Sequence, residues 1–313
     1  MAKCNVCYRK CEIKEGETGF CGVRGAARIT KHGIYETGEM RTAVSYDVSA
    51  GTDSDIQVVP LNYGRITSIA LDPIEKKPLS RFMPGSRILS VGSYGCNLRC
   101  PFCQNYEISW SDEAYEYGEA ARVLMPEDLA DLALGYKSEG NVGVAFTYNE
   151  PLVGYEYVRD TARLVHEKGM VNVLVSNGMA SLEVLQELVP YIDAMNIDLK
   201  GFTDRYYRDI LGGDRKMVME FISEAVRHCH VELTTLIIPG ENDSIEEIKE
   251  LSKWISELTD IDGNSIGQDI PLHISRFFPR FHMTDRAATD VGLVYELADV
   301  ARQNLKYVYT GNC

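Results

Sequence analysis

The sequence predicts an α/β protein: a partial (β/α)6 barrel over residues 87–313, preceded by a cysteine-rich N-terminal extension over residues 1–86. Three observations carry this reading. From about residue 87 onward, short apolar strands alternate with amphipathic helices, which implies a parallel sheet joined by right-handed crossovers. Polar side chains recur at alternate positions on several of those strands, as a one-sided lining would require. The first 86 residues break the alternation, with a cluster of cysteines and then strand-like segments. A doubly wound open sheet is the architectural alternative.

In chain order, the extension begins with Cys4, Cys7, Cys11 and Cys21, spaced C-x2-C-x3-C-x9-C. Four thiols within eighteen residues point to a closed metal site, either a four-thiolate zinc or an auxiliary [4Fe-4S] cluster. Glu12, Lys14 and Glu15 give its loop a charged, exposed rim. Gly33–Thr37 and Arg65–Leu71 read as strands. The core strands are expected at Ile88–Val91, Val142–Thr147, Val171–Ser176, Ala194–Leu199, Val231–Ile237 and Leu272–Arg276. Helices are expected near 126–138, 152–168, 181–189, 204–229, 244–258 and 289–304. The clearest is 244–258, where Ser244 and Glu247 form a capping-box pattern and Ile245, Ile248, Leu251, Ile255 and Leu258 recur at helical spacing. Alternation places Asn172 with Ser176, Asn196 with Asp198 and Lys200, Glu232 with Thr234, and His273 with Ser275, each set on one face. If the apolar faces meet the helices, these polar faces line a cavity for a polar ligand.

Composition sets the class. The chain has 313 residues, 45% hydrophobic and 25% charged, which fits a globular protein of one large domain or one plus a small module. No apolar run approaches the ~18 residues of a membrane span, and Met1 to Cys4 opens no signal peptide. A cytoplasmic location is expected, where nine cysteines point to metal or redox chemistry rather than disulfides. The net charge of −14 repels phosphate backbones and disfavours nucleic acid. Arg276, Arg280 and His282 form the one candidate basic patch. Cys229 and Cys313 lack cysteine-rich surroundings and read as bystanders.

The most specific motif is Cys96, Cys100 and Cys103, spaced C-x3-C-x2-C, within Tyr94-Gly-Cys-Asn-Leu-Arg-Cys-Pro-Phe-Cys-Gln-Asn105. A structural zinc or an ordinary four-iron cluster takes four protein ligands. Three thiolates this close can hold three irons of a [4Fe-4S] cube and leave the fourth open to a substrate. The alternative is a zinc knuckle or scattered buried cysteines. Further motifs follow successive strands: Thr147-Tyr-Asn-Glu-Pro151, Ser176-Asn-Gly178, Asp198-Leu-Lys200 and Leu236-Ile-Ile-Pro-Gly-Glu-Asn-Asp243.

The three-cysteine loop resembles that of the radical SAM superfamily. The resemblance narrows with Gly19-Phe-Cys-Gly-Val-Arg24, Asp72-Pro-Ile-Glu-Lys-Lys-Pro-Leu79, Phe82-Met-Pro-Gly-Ser86, Gln104-Asn105, Asp198-Leu-Lys-Gly201 and His273-Ile-Ser-Arg-Phe-Phe-Pro279. Together, over essentially the whole chain, these resemble the AmmeMemoRadiSam-system radical SAM enzymes, themselves similar to pyruvate formate-lyase activating enzymes. Some members continue into a cysteine-containing tail; this chain stops at Cys313, so no metal site is expected there.

The resemblance implies S-adenosylmethionine (SAM) chelated to the open iron and a reductive cleavage that releases a 5′-deoxyadenosyl radical. It places Phe102 near the adenine. Tyr148, Asn149 and Glu150 fall at the ammonium, in a segment where the family often has Gly-Gly-Glu-Pro. Ser176 and Asn177 fall at the ribose or carboxylate, and Asp198 and Lys200 near the carboxylate. Ile237 would lie against adenine, and His273 within reach of SAM or substrate. The plainer readings are a carboxylate at a helix N-terminus for Glu150, a turn for Asn177-Gly178, an ion pair for Asp198 and Lys200, and core packing for Ile237 and His273. The function implied is a radical SAM oxidoreductase, activase-like, that abstracts hydrogen from an unidentified protein, peptide or small molecule. Its partner would be an electron donor such as ferredoxin or flavodoxin. A non-catalytic Fe–S or zinc interaction protein and a tRNA-modifying enzyme are the alternatives. Retention of the cysteine loop with Glu150 weighs against the first, and the acidic charge against the second.

Overall fold

The structure, a computed structural model, describes residues 1–28, 34–37, 40–43 and 56–313. Eight strands form one sheet: β1 (Ser68–Pro73), β2 (Arg87–Gly92), β3 (Asn141–Phe146), β4 (Val171–Ser176), β5 (Ala194–Asp198), β6 (His230–Ile237), β7 (Leu272–Arg276) and β8 (Val308–Gly311). Their order across the sheet follows the chain from β1 to β8. From β2 to β8 every pairing is parallel, and β1 runs antiparallel to β2. A doubly wound sheet reverses its order at a switch point. Here each crossover steps the same way, as a barrel requires. The strand ends converge on one cavity, so the sheet curls into a partial barrel and the doubly wound alternative falls.

The six expected core strands correspond to β2 to β7. The sheet also takes in Ser68–Pro73 from the stretch expected to be extension, and Val308–Gly311 at the far edge. Of Gly33–Thr37, Gly33 lies outside the described residues, and Ile34–Thr37 pairs with Met40–Ala43. The Arg65–Leu71 run is divided at Thr67 between Arg65–Ile66, which pairs with Arg122–Val123, and β1.

Beyond two short helices after β2 (Tyr106–Ser109 and Glu113–Glu119), the α-helices among the described residues are α1 (Pro126–Gly135), α2 (Tyr155–Glu167), α3 (Leu182–Leu188), α4 (Arg215–Ala225), α5 (Ile245–Ser256) and α6 (Val291–Ala301). The single helix expected over 204–229 is two. A π-helical turn, Tyr206–Leu211, ends at Gly212 in the left-handed region (φ +64), and Asp214 caps α4 by accepting the Met217 N–H at 2.9 Å. Ser244 caps α5 as expected, accepting the Glu247 N–H at 3.2 Å. Glu247 does not complete the capping box. Its carboxylate accepts the Phe202 N–H at 2.6 Å and ties α5 to the loop after β5.

The polar faces of the strands are spent differently from expectation. Asn172 turns toward α2, where its amide donates to the Ala162 carbonyl at 2.9 Å. Val173, its neighbour, packs inside with Ile88, Ala145, Ala194, Ile74 and Leu79. The last two belong to the segment between β1 and β2, which fills the barrel's lower end. Asn196 donates to the Pro78 carbonyl at 2.9 Å, and Glu232 accepts the Ser80 and Arg81 N–H groups at 2.9 and 2.7 Å. The lower polar lining therefore serves the chain's own plug. Only the upper end is left for a ligand.

Candidate active site

Beyond the C-terminal ends of the strands lies a cavity of ≈ 310 Å³. This is where ligands bind in α/β sheets. It is lined by Cys96, Cys100 and Cys103, by Phe102, Tyr148, Asn149 and Glu150, by Ser176 and Asn177, and by Asp198 and Lys200. Residues from the ends of four successive strands, β2 to β5, and the loops after them thus meet in one place.

The cysteine loop leaves β2 through Gly95, whose φ of +90 suits glycine and whose closeness to Val23 leaves no room for a side chain. Asn97, fully buried, holds the loop down. Its amide donates to the Met179 carbonyl at 2.7 Å, and its oxygen accepts from Asn177 at 2.9 Å. The Cys96 sulfur accepts the Leu98 N–H at 3.4 Å and an Asn177 amide hydrogen at 3.8 Å. Burial pushes the Cys96 thiol well above its usual range, with Glu150 and Cys100 adding to the effect. Burial likewise pushes Cys100 up to about 12. Phe102 is buried and meets the Phe277 ring edge-on, centroids 6.4 Å apart.

Glu150 is 2% exposed. One carboxylate oxygen accepts from Ser176 Oγ at 2.7 Å and the Leu152 N–H at 3.0 Å; the other accepts the Asn177 N–H at 2.8 Å. Burial nevertheless raises it from 4.5 to about 7. No cationic side chain among the described residues forms an ion pair with it. A ligand cation would supply what the fold does not.

Asn149 is committed to structure, donating to the Tyr94 and Gly95 carbonyls at 3.1 Å each and accepting the Ser93 N–H at 2.9 Å. Tyr148 stands where the family often has glycine and adopts the left-handed φ of +73 that glycine takes freely. Its hydroxyl donates to Asp72 at 2.9 Å, and its carbonyl accepts from Asn105 at 2.7 Å. Asp72 also pairs with the buried Lys77 at 2.9 Å. Lys200 donates to Asp198 at 2.8 Å; burial opposes its charge, but Asp198 and then Cys100 outweigh that and raise it well above the usual lysine range.

Two expected contacts are elsewhere. Ile237 is fully buried away from the cavity, and Thr234 and Leu236 line it instead. The same alternation that pairs Glu232 with Thr234 selects Leu236, so the signal was present. His273 bonds Glu232 at 2.7 Å and stacks on Tyr309, below the cavity. Asn97, Asn105, Asp72 and Lys77 carried no assigned role in the sequence, although the cysteine motif contained the first two and the Asp72–Leu79 motif the others. In the Arg276–His282 stretch, Arg276 donates to the Thr289 carbonyl at 2.7 Å, Arg280 and His282 are exposed, and the His282 ring packs on Phe281.

The donor set fits an iron–sulfur cube. Three free thiols, Cys100 buried and Cys96 and Cys103 half-buried, face one cavity whose lysine is already paired. Among the described residues no three Cys, His, Asp or Glu side chains converge closely enough to share a single metal ion. A cube imposes no such convergence, because each thiolate binds a different iron.

The sequence model of the Radical SAM superfamily matches residues 90–255. The chain is 35% identical over 313 residues to an uncharacterized protein of Methanocaldococcus jannaschii, covering 99% of this chain and 81% of that one. It is 25% identical over 185 residues to the pyruvate formate-lyase 1-activating enzyme of Escherichia coli, covering 57% of this chain and 72% of that one. Streptococcus suis SuiB bound to S-adenosylmethionine shares the fold, with a TM-score of 0.52 at 14% identity over 70% of this chain and 48% of SuiB. The match covers more than half the chain and spans the cysteine loop and the strand ends that meet in the cavity: the chain belongs to the Radical SAM superfamily, enzymes that use a [4Fe-4S] cluster and S-adenosylmethionine.

Proposed function

We propose that Cys96, Cys100 and Cys103 hold the cluster and that the protein is an activase-like enzyme acting on a protein, peptide or small molecule. One observation carries the reading: the three thiols, a buried carboxylate without a cation and the Asp198–Lys200 pair share a single cavity at the strand ends. Bound there, cluster and SAM supply a 5′-deoxyadenosyl radical that takes a hydrogen atom from substrate. The chain's own residues do the rest. Glu150, fixed by Ser176, Asn177 and Leu152, receives the methionyl ammonium. Lys200 offers its N–H groups to the carboxylate while Asp198 holds it in place. Phe102 and Leu236 give the adenine an apolar surface. Tyr148 and Asn149 shape the turn that carries Glu150.

The similarity to the activating enzyme of Escherichia coli supports glycyl-radical activation as one version of this chemistry. The electron comes from a low-potential donor such as ferredoxin or flavodoxin. Among the described residues no helix is long and apolar enough to cross a membrane, and the oxygen-sensitive cluster suits the cytoplasm. The division at residues 1–86 and 87–313 separates the four-cysteine module from the SAM site, although β1 joins the sheet from the N-terminal side. Anaerobic reduction of the reconstituted protein with SAM tests the proposal. It should yield 5′-deoxyadenosine and methionine; a fully assembled cluster that cleaves no SAM under strong reduction would sink it.

A further inference from the structure

The four N-terminal cysteines are brought together, and they are tied to the SAM site. The strands Ala2–Lys3 and Glu12–Ile13 pair, and the Cys4 N–H donates to the Cys11 carbonyl at 2.9 Å. Gly19 lies against Cys11, so close that a side-chain carbon there would meet its sulfur at 3.5 Å. Cys21 follows two residues later. All four are free thiols; Cys4, Cys7 and Cys21 are buried, and Cys11 is half-buried. Four free thiols gathered in one module offer a soft cation a complete ligand set.

Arg99 joins this loop to the other one. One guanidinium nitrogen donates to the carbonyl of Phe20, the residue before Cys21. Another donates at 2.9 Å to the carbonyl of Cys96 itself. The guanidinium carbon stands 3.9 Å from the Phe20 ring centroid. Arg99 therefore bridges the two cysteine groups, and Arg9 ties them a second time, donating to the Asn97 carbonyl at 3.5 Å and lying over the Phe20 ring.

We infer that Cys4, Cys7, Cys11 and Cys21 hold a second [4Fe-4S] cluster, which passes one electron to the SAM-cleaving cluster across the Phe20–Arg99–Cys96 bridge. The inference rests on the reading of Cys96, Cys100 and Cys103 given above. A zinc ion needs its sulfurs about 2.3 Å from one point, and among the described residues no three such side chains converge on a single ion. Zinc would also leave the bridge without redox purpose. The direction follows from access. Substrate must occupy the barrel mouth, closing that route, whereas Cys11 lies beside the exposed Glu12, Lys14 and Glu15. A low-potential iron–sulfur or flavin protein reduces the outer cluster by one electron. The outer cluster returns to its oxidised state as the inner one is reduced, and no bond or proton changes hands.

The test uses the full chain, reconstituted anaerobically. Wild type should carry about eight irons, two cubes' worth. Cys96→Ala/Cys100→Ala/Cys103→Ala should keep half the iron and a reduced-cluster EPR signal that SAM does not alter. Cys4→Ser/Cys7→Ser should lose the other half, keep a signal that SAM shifts, and slow flavodoxin-driven 5′-deoxyadenosine formation at least tenfold relative to dithionite. Arg99→Met should move the SAM-responsive cluster to a more negative potential, because the lost cation favoured the added electron; Arg99→Lys should restore it. One zinc in the triple variant, or no metal, overturns the second cluster while leaving the first intact. Iron that survives in the triple variant as the wild type's whole complement overturns the reading of the SAM site instead. Unchanged potentials with equal rates from both reductants overturn the relay.

Discussion

Glu150 and Glu232 are both buried glutamates on the barrel's inner side, yet their acid strengths diverge. Glu232, at the lower end, accepts from His273 at 2.7 Å, His230 at 3.0 Å and two backbone N–H groups of the plug. Burial alone would raise it, but these bonds outweigh burial and lower it from 4.5 to about 2. Glu150, at the upper end, has three hydrogen-bond donors and is raised to about 7. Histidine rings close the account at Glu232, and nothing cationic does so at Glu150. One carboxylate locks the fold to itself; the other has no cationic partner among the described residues, which is why the methionyl ammonium is assigned to it.

The largest effect should come from removing what faces Glu150. Replacing Cys96, Cys100 and Cys103 together with Ala should abolish SAM cleavage, read as loss of 5′-deoxyadenosine under dithionite. Retained cleavage would mean the upper end is not the reaction site. At the lower end, Glu232→Ala leaves the buried His273 ring, the half-buried His230 ring and two N–H groups of the plug without their acceptor. Leaving a buried donor unsatisfied costs about 1–3 kcal/mol, to be read as a lowered urea midpoint. An unchanged midpoint would make Glu232 as expendable as a surface group and erase the contrast.

Glu150→Gln sharpens it from the other side. A charge-assisted hydrogen bond contributes roughly 1.5–3 kcal/mol, so SAM should bind about tenfold or more weakly with the cluster intact. Equal affinity by equilibrium binding would move the ammonium site elsewhere. The two ends should also differ with pH. Glu232 is lowered in the fold, so its contribution is complete above 4.5 and drains away as pH falls toward 2. The gap in urea midpoint between wild type and Glu232→Gln, measured on cluster-free protein, should therefore narrow from pH 7.5 to pH 4. A gap that widens reverses the assigned sign. The smallest effect belongs to Tyr148→Phe, which removes the bond to Asp72. It should lower stability by about 0.5–1.5 kcal/mol, visible as a modest shift in melting temperature.

What the sequence determined by itself is local. Strand period and helix spacing located β2 to β7, because a strand's apolar rhythm is written in consecutive residues. The cysteine spacings and Glu150 in its Thr147–Pro151 turn were legible for the same reason: their chemistry depends on a few covalently close groups. Tertiary structure decided which face of each strand meets what. Asn172 and Asn196 look alike in sequence, but one serves α2 and the other the plug. Glu232 finds its N–H partners 152 and 151 residues away, and Asn97 finds Met179 82 residues away. His273 lies below the cavity on Glu232 because the curl of the sheet sets depth in the barrel, whereas Leu236 rather than Ile237 reaches the cavity by strand alternation alone. Arg99 reads as one more polar residue between cysteines; only folding sets it between two of them from different loops. A hydrogen bond is satisfied by whatever the fold brings within about 3 Å, and chain proximity says nothing about that distance across a curled sheet.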